Sequence, residues 1–193
     1  MSQIVPLFLR TIIPALWLGW LVYWLGAALN VKLTRWRESL LSRLIYLVPT
    51  AVGVLLLAAP SRSFPLLNAR FLPPGALVPA LGAALVAAGL VLAVWARRHL
   101  GGNWSATVAL KEGHTLVQSG PYAAIRHPIY AGLLVGILGT ALAIGEWRGI
   151  AALVIVLLTF LHKIRLEERR MRESFPDYEA YRRKTAALVP FVY

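Results

Sequence analysis

The chain has 193 residues, of which 59% are hydrophobic and only 15% are charged, and it contains no cysteine. A soluble domain carries about 25% charged residues, and this much apolar surface exceeds what a core of such a chain can bury. The composition therefore argues against a soluble globular protein, and the lack of cysteine excludes disulfides, thiolate nucleophiles and Cys-ligated metals. The net charge of +12 comes from basic residues that flank apolar runs, which favours anionic headgroups over nucleic acid as its partner.

Five apolar runs follow one another along the chain and predict membrane-spanning helices. They cover residues 11–31, 44–59, 75–96, 128–145 and 149–161. The first is long enough to cross about 30 Å of hydrocarbon, and its length and three tryptophans favour a retained span over a cleaved signal peptide. Two glycines and two charges at 145–149 predict a tight hairpin. The fifth run is short, so its helix is expected to continue past His162.

These runs predict an all-α polytopic membrane bundle of about five transmembrane helices. Residues 1–96 would supply three helices, and residues 97–193 would add the helical hairpin and an amphipathic C-terminal segment, within one integrated domain. Placing the N-terminus outside puts sixteen Lys and Arg residues in the inside segments and four in the outside segments, which predicts a cytoplasmic C-terminus. Small residues in two spans, namely Ala80, Ala84 and Ala88 and then Gly132 and Gly136, predict close helix packing.

Polar residues are concentrated in segments 97–130 and 163–184, beside the predicted spans. In the first segment Arg126 and His127 precede Pro128, a residue suited to the first turn of a helix. An arginine at a helix N-terminus favours the binding of an anion such as a carboxylate or phosphate. From spacing alone, interfacial side chains that extend to the headgroups explain the pair equally well.

Glu167 and Glu168 stand out among the arginines that follow the fifth run. Adjacent side chains on a helix point about 100° apart, so both can face one site only near its edge. By sequence alone a solvated, salt-bridged face is the preferred interpretation. The alternative is a carboxylate that bonds ribose hydroxyls or an ammonium group, or accepts a proton. The four histidines are scattered along the chain, and no metal site is expected.

A series of short motifs in the second half resembles the isoprenylcysteine carboxyl methyltransferase and phospholipid methyltransferase group of membrane enzymes. The motifs are Asn-Trp-Ser at 103–105, Gly-His-x-Leu-Val at 113–117, Gly-Pro-Tyr at 120–122, Arg-His-Pro-x-Tyr-x-Gly at 126–132, Glu-Glu at 167–168 and Phe-Pro-x-Tyr-x-x-Tyr at 175–181. The resemblance runs from about Leu100 to Tyr193. The first ninety residues match only as generic spans.

The resemblance implies a cytoplasmic pocket for S-adenosylmethionine in the region 97–193, and no Rossmann domain. Catalytic roles would fall to Arg126, His127, Glu167 and Glu168, and Trp104 would shape the acceptor end. The acceptor would be a lipophilic molecule from the bilayer, with a prenylcysteine-like carboxylate or a phospholipid amine as the methylated group. The residues implied to bind the cofactor are His114, Leu116, Val117, Gly120, Tyr122, Arg126, His127, Tyr130, Glu167 and Glu168.

Two other functions remain open at this point. Membrane sterol and steroid reductases share an Arg-His-Pro-x-Tyr element and use NADPH, although the paired Glu167 and Glu168 argue against them. A non-catalytic membrane scaffold is the second. The excess of sixteen arginines over four lysines suggests a prokaryotic cytoplasmic membrane.

Overall fold

The computed structural model describes residues 7–29, 34–60, 63–105, 109–111 and 115–190. A π-helical turn, Phe8–Ile12, leads into helix α1, and a short antiparallel ribbon joins β1 and β2. The elements in chain order are α1 Ile13–Ala28, β1 Thr34–Arg37, α2 Leu40–Ala58, α3 Leu77–Leu100, β2 Ala109–Lys111, α4 Pro128–Ile144, α5 Trp147–Ser174 and α6 Tyr178–Lys184.

The helices confirm the predicted membrane bundle. Four helical stretches are long and apolar enough to cross a membrane, namely Phe8–Ala28, Leu40–Ala58, Leu77–Asn103 and Trp147–Ser174, and α4 is a shorter apolar helix of 17 residues. The protein is therefore an integral membrane protein. The boundary at residues 96 and 97 lies inside α3, and the division of roles between the two parts stays a prediction.

The helix ends follow from local sequence. Pro128 occupies the first turn of α4, where its missing N–H costs nothing. Gly145, with φ +66°, ends α4 in the left-handed conformation, and its N–H donates to the Ala141 carbonyl at 2.9 Å. The predicted hairpin between α4 and α5 is therefore confirmed, and α5 does continue past His162.

Helices α3 and α4 pack closely and antiparallel. A Cβ added at Gly82 would come within 2.5 Å of the Gly139 carbonyl oxygen, and Gly89 faces Gly132 in the same way. Glycine permits this approach because it lacks a side chain. The prediction of close packing was wrong for Ala84 and Ala88 of α3, since both residues are exposed.

The other long helices pack on this pair or on each other. Helix α1 packs against α3, and α2 packs against α5. At the end of the bundle where α4 and α5 meet, the Arg148 guanidinium pairs with Glu146 at 2.7 Å and donates to the carbonyls of Leu56 and Ala59 at 2.8 and 2.7 Å. These bonds satisfy carbonyls that the end of α2 leaves without helical partners.

The chain after α6 returns to the start of α4. The N–H groups of Arg126 and His127 donate to the carbonyls of Ala186 and Ala187 at 2.9 and 3.1 Å, and Ile125 pairs with Ala186 as a parallel bridge. The Tyr181 hydroxyl donates to the Tyr122 carbonyl at 2.7 Å. The C-terminal segment thereby fixes the loop that carries Arg126 and His127.

Candidate functional site

A cavity of about 470 Å³ lies beside the first turn of α4, between that turn, α5, α1, α2 and the loops that precede α4. This volume is within the range of small-molecule sites. Most of the residues singled out from sequence border it, namely Trp104, Leu116, Val117, Tyr122, Arg126, His127, Tyr130 and Glu167.

Two other predicted residues, Gly120 and Glu168, are not part of the cavity wall, and a third cannot be placed. Gly120 is not among the residues that border it; its φ of +58° makes a turn packed against the His99 ring. Glu168 lies behind the wall and bonds to two residues that form it. His114 falls outside the described residues.

Arg126 is buried and joins three parts of the chain. Its Nε donates to Glu168 Oε1 at 2.7 Å, and its Nη1 donates to the carbonyls of Arg182, at 3.0 Å, and Thr185. Only 8% of the residue is exposed. The interfacial interpretation of Arg126 was therefore wrong, because this guanidinium is paired inside the protein.

His127 lies between the two glutamates. Its Nδ1 is 3.5 Å from Glu167 Oε2, and its Nε2 is 3.4 Å from Glu168 Oε1. Burial lowers the pKa of His127, but the hydrogen bonds and negative charges of the two carboxylates outweigh it, so the pKa is raised above its ordinary value. The paired glutamates are thus not a solvated face, since both turn inward to one imidazole.

Glu167 is also held from its other side. The Tyr130 hydroxyl donates to Glu167 Oε1 at 2.6 Å, and the Lys163 ammonium lies 4.0 Å from the same oxygen. The Tyr130 ring stacks on His127 with centroids 5.7 Å apart and contacts Phe160 at 4.7 Å. Because each oxygen of Glu167 has a partner, the carboxylate has one orientation at the cavity wall.

Aromatic side chains form another part of the cavity wall. The ring of Trp104 meets Trp24 edge to face at 5.3 Å, and the Arg97 guanidinium stacks over Trp104 at 4.5 Å. Arg97 also donates to the carbonyls of Gly101 and Ala27 at 2.7 Å each, which ties the ends of α1 and α3 together. Trp104 is therefore part of the cavity wall, and its role toward an acceptor stays a prediction.

Sequence reasoning missed several residues of the wall. Trp20, Trp24 and Tyr46 lie in apolar runs that carry no motif. Lys163 also borders the cavity, and its spacing of four residues before Glu167 was a usable signal for an ion pair on one helix face.

Among the described residues, no group of three His, Cys, Asp or Glu side chains is placed to hold a metal ion. Glu167 and Glu168 approach different nitrogens of His127. What the site offers is a set of charged groups with fixed partners beside an apolar, aromatic space.

Comparison with known proteins connects this site to a family. The family model described as phospholipid methyltransferase matches residues 77–178. The chain is 35% identical over 94 residues to the cobalt-zinc-cadmium resistance protein CzcN of Cupriavidus metallidurans, covering 47% of this chain and 43% of that protein. It is 35% identical over 96 residues to the protein-S-isoprenylcysteine O-methyltransferase of Schizosaccharomyces pombe, covering 48% and 41%. The matches thus span less than half the length of these two relatives.

A solved structure shares the fold. It is described as the eukaryotic intramembrane Ras methyltransferase ICMT, isoprenylcysteine carboxyl methyltransferase, and it aligns with a TM-score of 0.57 and 23% identity over 76% of this chain and 52% of that one. The family match extends over more than half of the chain and includes α3, α4, α5 and the cavity residues between them. The chain therefore belongs to the phospholipid methyltransferase family.

Proposed function

We propose that this membrane protein transfers a methyl group from S-adenosylmethionine to a lipophilic acceptor that it takes from the bilayer. One observation carries the proposal: charged residues of the family-matched stretch meet at one cavity that aromatic side chains also line. The isoprenylcysteine methyltransferases among the relatives support the same reaction class.

The residues present fit this cofactor. S-adenosylmethionine combines a carboxylate, an ammonium group and ribose hydroxyls with a flat adenine. Glu167 suits the ammonium or hydroxyl groups, and a protonated His127 suits the carboxylate. Leu116, Val117 and Tyr122 border the cavity as an apolar surface against which a base can pack.

The cofactor supplies an activated methyl group on a sulfonium, and displacement of that methyl requires an in-line approach. The protein's part is then to align the acceptor and exclude water. Glu168 orients Arg126 and His127, while Tyr130 orients Glu167. A carboxylate acceptor needs no general base; for an amine acceptor, Glu167 would receive the proton.

The charge distribution supports a cytoplasmic location for this cavity. The loops around it belong to the segments that hold sixteen of the twenty Lys and Arg residues, and such loops face the cytoplasm. The C-terminus would then be cytoplasmic as well. The arginine excess supports a prokaryotic cytoplasmic membrane.

The alternative functions have less support. The relatives and the solved structure favour the methyltransferase over an NADPH-dependent reductase. A scaffold gives no reason for a buried network of five charged or hydroxyl-bearing residues beside a cavity.

Calorimetric titration of the detergent-purified protein tests the proposal. S-adenosylmethionine is expected to bind saturably and NADPH is not, and Glu167→Gln is expected to weaken binding at least about tenfold because hydrogen bonds to a charged group are strong. Glu173→Gln, an exposed glutamate on the same helix, is the matched control and should bind as the wild type does. Binding of NADPH alone would indicate a reductase, and binding of neither would leave the scaffold.

A further inference from the structure

A second cavity, also of about 470 Å³, lies between the loop that precedes α4 and the C-terminal segment that pairs with that loop. Its wall shares only Arg126 with the wall of the first cavity. The small side chains of alanine, threonine and proline form much of this wall and leave room for a ligand. Among the described residues that border it none is acidic and four are basic, namely Arg126, Arg182, Arg183 and Lys184.

Two of these four charges have a carboxylate partner and two do not. Arg126 is paired inside the protein, and Arg182 Nη2 lies 2.9 Å from Glu179 Oε1. Arg183 and Lys184 are exposed, and in the part of the chain that the structure describes their side chains make no hydrogen bond or ion pair. Neighbouring like charges repel each other, so an anion at this wall would be stabilised by both.

The end of α6 would by itself disfavour an anion, because the last carbonyls of a helix carry negative partial charge. Two of the carbonyls at this end are occupied, since those of Arg182 and Thr185 accept from Arg126 Nη1. The guanidinium thus offsets their partial charge. The cationic side chains of Arg183 and Lys184 then make the potential at the second cavity positive.

The second cavity lies beside the start of an apolar helix. Residues 123–126 of its wall come shortly before α4, and Pro190 of the wall follows Val189, which is 55% exposed. Basic side chains at the end of an apolar helix lie at the level of lipid headgroups, where an exposed apolar side chain can contact acyl chains. A phospholipid would meet both kinds of surface, whereas free phosphate would meet only the cationic one.

We propose that the second cavity binds a phosphate-bearing anion, and that its occupant in the membrane is the headgroup of an anionic phospholipid. Arg183 and Lys184 supply the cationic groups that pair with its oxygens. This inference goes beyond the proposed function, since binding here needs neither cofactor nor acceptor. A bound headgroup also holds the segment whose carbonyls position Arg126, so anionic lipid is expected to stabilise the folded protein.

Native mass spectrometry of the detergent-purified protein counts bound lipids and tests this site. The probes are dioleoylphosphatidylglycerol and, as a phospholipid without net charge, dioleoylphosphatidylcholine. The test variant combines Arg183→Gln with Lys184→Gln. The matched control combines Arg98→Gln with Arg165→Gln, because these two residues are exposed, border neither cavity and carry the same total charge.

The wild type is expected to bind phosphatidylglycerol about tenfold more tightly than phosphatidylcholine. The test variant should lose this preference by weakening phosphatidylglycerol binding about tenfold or more, since each basic side chain near a headgroup contributes to binding. The matched control should bind as the wild type does, and so should the charge-retaining combination of Arg183→Lys with Lys184→Arg. Equal weakening in the test variant and the matched control, or no preference for phosphatidylglycerol, would overturn the site, because the basic surface would then act only by general attraction.

Unfolding temperatures separate the two sources of the phosphate group. Added phosphatidylglycerol is compared with sodium phosphate, and sodium chloride at the same ionic strength is the reference. A rise with phosphatidylglycerol alone, in the wild type and not in the test variant, would support the headgroup. The same dependence on Arg183 and Lys184 with sodium phosphate and not with phosphatidylglycerol would overturn the headgroup as the occupant. A rise that is equal in the wild type and the test variant would overturn the site.

Discussion

Replacing Glu168 with glutamine removes the negative charge that Arg126 and His127 share inside the site. The side chains of Arg126 and Glu168 are 5% and 9% exposed and their bond measures 2.7 Å. The substitution keeps the size of the side chain and one acceptor oxygen. It therefore tests the charge and leaves the packing nearly unchanged.

The expected loss of stability follows from the burial of the pair. Removal of one partner from a buried ion pair costs about 3–5 kcal/mol because the other charge remains buried. Glutamine can still accept one hydrogen bond. The expected loss of stability for Glu168→Gln is therefore at the lower end of that range, about 3 kcal/mol. For a chain of this length that corresponds to a fall of roughly 6–12 °C in unfolding temperature.

Thermal unfolding in detergent, followed by tryptophan fluorescence, measures this loss. Glu173→Gln is the matched control, because Glu173 is on the same helix but its ion pairs are exposed, and exposed pairs contribute little. Affinity for S-adenosylmethionine should fall about tenfold in Glu168→Gln, since His127 and Arg126 lose the group that orients them. Equal unfolding temperatures for the two variants would refute the buried network as a source of stability.

Three further outcomes are expected. The wild type should be more stable than His127→Gln, and this difference should be largest below the ordinary histidine pKa of 6.5. The difference should decline as pH rises through the raised pKa of His127. Unfolding temperatures of both proteins measured over this pH range would check the decline. Gly82→Ala should destabilise the protein by about 1–3 kcal/mol because the added methyl group would come within 2.5 Å of the α4 backbone. Gly19→Ala should leave stability unchanged, since its methyl group meets nothing within 4 Å. Thermal unfolding of the two variants compares these effects. Tyr181→Phe should lower the unfolding temperature by about 2–4 °C, because it removes a buried hydrogen bond to the Tyr122 carbonyl worth ~1 kcal/mol, and an unchanged temperature would contradict this.

The helices were predictable because their signals are local. Uninterrupted apolar runs of bilayer length, the glycines at 145 and 149 and the proline at 128 each act within a few residues. The break at Pro176 likewise separates α5 from α6. The sequence did not predict which face of each helix contacts its neighbours, as the exposed Ala84 and Ala88 show.

The charged part of the site was predictable as a set of residues, but its geometry was not. Helical geometry separates Glu167 and Glu168 by about 100°, so the sequence could not tell whether both face inward. The answer depends on the His127 ring, which lies just before α4 and has one carboxylate beside each nitrogen.

The sequence by itself determined that this chain is a helical membrane protein and which segments beside the apolar runs carry the polar motifs, because bilayer thickness and the helix repeat act on consecutive residues. Only the tertiary structure decided that Tyr46 and Lys163 meet, and that α1 and α2 contribute a wall of the cavity. An apolar run has the same composition whichever neighbour it packs against, so the partners of its side chains depend on how the helices assemble.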